Sequence, residues 1–94
     1  MIFGEFNLKD GEKVTLKGII VDFEVHQLGG YYPDYPHKEN FQCEGGYLAI
    51  YFKEVVNERE EIEIQGTVTI NALDRGDGDI INQPDILVDS WRKL

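Results

Sequence analysis

From Glu60 to Asn71 apolar and polar positions alternate. Ile62, Ile64, Val68 and Ile70 share one parity with Gly66, while Glu61, Glu63, Gln65, Thr67, Thr69 and Asn71 share the other. Period-two alternation with β-branched residues predicts a half-buried strand, apolar inward and polar outward. A second strand is predicted over 12–26, after the turn signal Lys9-Asp10-Gly11. There Val14 and Leu16 set one parity and Ile19, Val21, Phe23 and Val25 the other, with the change at Gly18. A strand that changes its buried face at a glycine carries a bulge or a sharp coil. Such a bend lets one long strand serve both walls of a small barrel.

A third strand starts at Gly45, with Tyr47, Ala49 and Tyr51 on one face and Leu48, Ile50 and Phe52 on the other. Apolar residues on both faces place it centrally. The preceding "ENFQCEGGY" supplies the first arm of a hairpin turning at residues 44–46. "VVNERE" has room for one helical turn or a tight connection. "ALDRGDGDIINQP", from Ala72 to Pro84, is expected to be an acidic, glycine-bearing loop. "DILVDSWRKL" forms a terminal strand, and "IFGEF" is a candidate for a short extra one.

These elements predict an all-β fold, a small five-stranded barrel with at most one short helical turn, in a single domain spanning residues 1–94. The phrases V-x-x-x-G-x-I (Val14, Gly18, Ile20) and I-x-I-x-G-x-V (Ile62, Ile64, Gly66, Val68) are similar to phrases common in the OB-fold superfamily. So is a terminal strand ending near an aromatic residue, here Trp91. The chain thus resembles an OB-like barrel over most of its length. That resemblance implies a ligand face on the second and third strands, used for single-stranded nucleic acids or oligosaccharides.

Charge changes that picture. Eighteen acidic and nine basic side chains give a net charge of −9 on 94 residues. Affinity for phosphate backbones comes mainly from Lys and Arg displacing counterions, and anionic membrane surfaces repel the same charge. Net charge therefore disfavours nucleic acid, excludes membrane docking and favours a basic protein partner. The longest apolar runs are a few residues, too short for a transmembrane helix. The N-terminus lacks the pattern of a signal peptide. One cysteine, Cys43, excludes an internal disulfide and agrees with a reducing compartment. A cytoplasmic location is expected.

Candidate chemistry is sparse. Ser90 is the only serine, and no nucleophile elbow or phosphate loop occurs. His26, His37 and Cys43 match no zinc spacing. Asp74, Asp77 and Asp79 fall at loop positions 1, 4 and 6 without the closing glutamate of a calcium loop. Neither an enzyme, a cofactor nor a metal is expected.

The stretch "GGYYPDYPHKENFQCEGGY" holds four of the five tyrosines. Tyrosine offers large contact area at low entropy cost, and Tyr-Pro units pre-set the backbone. Tyr31, Tyr32 and Tyr35, on a loop over 28–38, are candidate anchors for a protein partner, with at least one expected to pack onto the barrel end. Glu61, Glu63, Asp77 and Asp79 are candidate steering charges. Composition places the chain beside small acidic inhibitors and immunity proteins. The alternative, an OB-type nucleic-acid or oligosaccharide binder, would use Lys13 and Lys17 on the first strand with Tyr47 and Tyr51 on the third.

Overall fold

The computed structural model describes residues 8–22, 31–43, 45–74, 78 and 80–94. Five strands follow one another: β1 (Lys13–Val21), β2 (His37–Cys43), β3 (Gly46–Phe52), β4 (Ile62–Asp74) and β5 (Ile80–Lys93). They close a barrel in the order β1-β2-β3-β5-β4, with β4 returning to β1. Every pair is antiparallel except β3 with β5. The described residues contain no helix, and 53–61 is an irregular connection. Among the described residues, no helix is long and apolar enough to cross a membrane. The all-β, five-stranded barrel expected from periodicity is what forms.

The turn before β1 is closed by Glu12 N–H donating to the Lys9 carbonyl. Asp10 then accepts the Ile70 N–H through its side chain, tying the turn to β4. Inside the barrel, Ile20, Phe41, Leu48, Ile50, Phe52, Val56, Ile62, Ile64, Val68, Ile86 and Val88 form the core. Inward β4 residues are those of the apolar parity, and β3 contributes Leu48, Ile50 and Phe52.

Two expectations are corrected. First, β1 does not change its buried face at Gly18. Val14, Leu16 and Ile20 all pack toward the core, whereas Ile19 on the opposite parity is 40% exposed. What changes at Gly18 is the neighbour. Residues 13–18 pair with β4 and residues 18–21 with β2, so Gly18 belongs to both ladders. A Cβ there would lie 2.1 Å from the Gln42 carbonyl oxygen and 2.9 Å from the Phe41 ring. Glycine lets β1 coil from one wall to the other while keeping its face. The remainder of the expected strand, 23–26, lies outside the described residues.

Second, much of the expected acidic loop over 72–84 is strand. The β4–β5 ladder runs on through Asn71↔Gln83 and Ala72↔Asn82 to Asp74↔Ile80. Backbone pairing in a hairpin continues where both chains are extended, whatever the polarity of the side chains. Likewise β2 begins at His37, so Lys38 leaves the expected Tyr/Pro loop and joins the sheet.

The terminal strand forms as expected, and it carries a bulge. Gln65 pairs with Ser90 and Gly66 with Val88, which leaves Asp89 as an extra residue. The extra residue changes the parity of β5, so that Val88 and Trp91, three positions apart, both pack against the core.

Gly18→Ala tests the closure. Its Cβ meets backbone that cannot step aside, and a loss of about 3 kcal/mol or failure to fold is expected. The exposed neighbour Lys17→Ala should stay within about 0.5 kcal/mol of wild type. Denaturant melts compare the two.

Candidate functional site

The segment Tyr31–Pro36 leaves the barrel and folds back across its outer surface. Tyr32-Pro33-Asp34-Tyr35 is a four-residue turn, closed by Tyr35 N–H donating to the Tyr32 carbonyl at 2.9 Å. Proline at its second position fixes the backbone for this turn. The turn sends both flanking tyrosines to β5. The Tyr32 hydroxyl donates to Asp85 at 2.7 Å, and the Tyr35 hydroxyl donates to Asp89 at 3.1 Å. The Tyr32 ring meets the Tyr51 ring edge-on, with centroids 4.7 Å apart at 70°. Such a pair contributes about 0.5–1.5 kcal/mol beyond its buried area. Lys53 places its ammonium 5.3 Å from the centre of the Tyr35 ring. The segment is therefore a strap held at two points.

Under the strap lies a carboxylate. Asp85 pairs with Ala49 and Thr69 in the sheet, on the outward parity, yet it is fully buried. It accepts from Tyr32, from the Gln83 amide at 2.8 Å and from the Asn71 side chain. Burial raises its pKa above the ordinary aspartate value, against the lowering effect of those donors and of Lys38. Tyr32 shifts upward too, first through burial and then through its bond to Asp85. Burial likewise pushes the Cys43 thiol up to about 11, leaving it neutral near pH 7.

The other candidate residues are placed as follows. Tyr31 is 87% exposed, the most protruding large side chain of the strap. Glu61 is exposed. Glu63 is 9% exposed and accepts from Arg92 Nε at 2.9 Å; this bond draws its pKa below the ordinary carboxylate range. Its charge is paired rather than projected. Asp77 and Asp79 lie outside the described residues, as does His26. Lys13 and Lys17 are exposed on one face of β1, but Lys13 donates to Thr67 at 2.6 Å and sits 3.7 Å from Asp89, while Lys17 lies opposite Glu63. Tyr47 is half-buried beside Gln42. Tyr51 is 3% exposed beneath Tyr32, which removes it as a stacking platform while the strap is in place.

Two features were not among the expected residues. Arg59 makes a two-point ion pair with Asp22, pinning the 53–61 connection to the end of β1. A slot of about 580 Å³ opens where β3 and β5 part, lined by Phe52, Lys53, Glu54 and the β5 residues Val88 to Trp91. The spacing Ile86-x-Val88-x-x-Trp91 is the sequence signal for the bulge that shapes it. No protein-family model matches the chain, and no curated protein is significantly similar to it.

Tyr32→Phe tests the strap. For Asp85 the sign is set by its raised folded pKa: its contribution is fullest below the unfolded value and is lost as pH rises through the folded one. Removing the Tyr32 hydroxyl takes away a group that lowers that pKa, so the loss extends to higher pH. The variant should be about 1–3 kcal/mol less stable near pH 7. The deficit should shrink at about pH 4, close to the ordinary aspartate value, because the upward shift of Asp85 favours its protonated form there. Urea titrations at both pH values check this; a deficit independent of pH would sink the assignment.

Proposed function

We propose that the chain is a non-enzymatic binding module of the OB-fold superfamily that engages a basic protein partner through the Tyr/Pro strap. The observation that carries this reading is Tyr31, 87% exposed on a segment whose next residue is tied to a buried carboxylate. An aromatic ring held out by a pre-set backbone gains contact area without the cost of ordering a loop. The net charge of −9 supplies attraction and steering toward a basic surface. Superfamily membership is supported by the strand phrases together with the barrel order and its parallel β3–β5 pair. The single cysteine suits a reducing, cytosolic setting. A neutralising role toward a basic protein, as in inhibitors and immunity proteins, fits this chemistry. The nucleic-acid alternative loses support from the covered Tyr51 and the engaged Lys13.

Affinity capture from native extract with the immobilised chain is the test. Proteins of basic isoelectric point should be retained, released by added salt, and lost about tenfold or more with Tyr31→Ala, a hot-spot cost of about 1.4 kcal/mol. The variant should keep the wild-type melting temperature, because Tyr31 is exposed. Unchanged capture by Tyr31→Ala would overturn the reading. So would tight binding of a labelled oligonucleotide at low salt that Lys13→Ala and Lys17→Ala abolish.

A further inference from the structure

Closing a sheet into a barrel removes its edges, but β5 is closed onto β3 over only part of its length. β5 is 14 residues long and pairs with β4 along its length, save for the bulge. On its other side it pairs with β3 only over Asp85–Leu87, opposite Ala49–Tyr51. β3 ends at Phe52, one residue past this seam, and among the described residues no strand pairs with Val88–Trp91 on that side. The slot occupies the gap. Its floor is apolar: Phe52 and Val88 belong to the core, and Trp91 packs against it half-buried. Its rim is polar, with Lys53, Glu54, Asp89 and Ser90.

An open strand edge offers N–H and C=O groups that an extended peptide can pair with, and side-chain pockets beside it read alternate residues. Charge selects the peptide. Two carboxylates line the rim, and the one cation, Lys53, already lies over the Tyr35 ring. Asp89 is shared between the Tyr35 hydroxyl and Lys13, the latter at 3.7 Å across an exposed pair. Such surface pairs contribute little, so an incoming cation can replace Lys13. An acidic peptide would meet both carboxylates and the field of the whole chain.

We infer that the slot takes an extended segment of the basic partner, paired to the open edge of β5. It sets an apolar side chain against Trp91 and basic side chains toward Glu54 and Asp89. This deepens the proposed function and rests on its reading of the partner as a basic protein.

Trp91 is the only tryptophan in the chain, so its emission reports on the slot directly. The probe is a short, capped peptide of alternating Lys and Val. Two controls accompany it: the same peptide with Glu for Lys, and the Lys/Val peptide N-methylated at alternate residues. The Lys/Val peptide should change Trp91 emission saturably. Both controls should bind at least about tenfold more weakly. The double variant Glu54→Gln/Asp89→Asn should weaken the Lys/Val peptide about tenfold. No saturable response below about 1 mM would overturn the inference. Equal binding of the Glu/Val or N-methylated peptide would do the same. If the peptide fails while Tyr31→Ala still abolishes capture, the slot assignment falls and the proposed function stands.

Discussion

The architecture depends on one close approach, that of the Gly18 backbone to the Gln42 carbonyl. In this five-stranded barrel β1 has to pair with β4 over one stretch and with β2 over the next. β1 does this by leaving β4 at Gly18 and joining β2 at the same residue. With any side chain larger than hydrogen, the second ladder would be held off by the Cβ. Once the strand can coil there, Ile20 reaches the core opposite Phe41, while Val14 and Leu16 pack against it opposite Gly66 and Ile64. Neither half of β1 then has to change the face it buries.

From that closure follows the role of β5 as the strand on which the outer surface is organised. It pairs in parallel with β3 and antiparallel with β4, and its outward positions 85 and 89 carry the two carboxylates that receive the strap. The bulge at Asp89 turns Trp91 inward, onto the parity opposite to that of Ile86 and Val88. Strap and slot are thus neighbours built on one strand. Tyr32 and Tyr35 are anchored on β5, while Tyr31 stands exposed beside them.

The strands were legible wherever one face was apolar and the other polar, as in Ile62–Ile70, because burial writes a period of two into the sequence. The hairpin at residues 44–46 was legible from its glycines. Gly18 was singled out for the right reason, a coil, but the apolar residues on both sides of β1 suggested a change of face that pairing with β2 makes unnecessary. The extended β4–β5 ribbon was hidden because a ladder of Asn71, Gln83, Ala72 and Asn82 has no apolar face to report it. In the strap, Y-P-D-Y could be recognised as a turn, yet its partners lie 53 and 54 residues away in the chain. Asp85 reads as a surface residue in isolation; in the fold it is buried among Tyr32, Gln83 and Asn71, which donate to it.

The parallel β3–β5 junction also governs how the chain reaches this state. β2 with β3 and β4 with β5 are hairpins whose strands are adjacent in the chain, and such units form within microseconds. Neither the three-residue β3–β5 seam nor the β1–β4 seam can form until remote parts of the chain have met. The cost of loop closure is incurred before these contacts repay it, which makes non-local β topologies slow folders. Two preformed hairpins docking along that short seam, with β1 zipping last across Gly18, is the assembly order this topology favours.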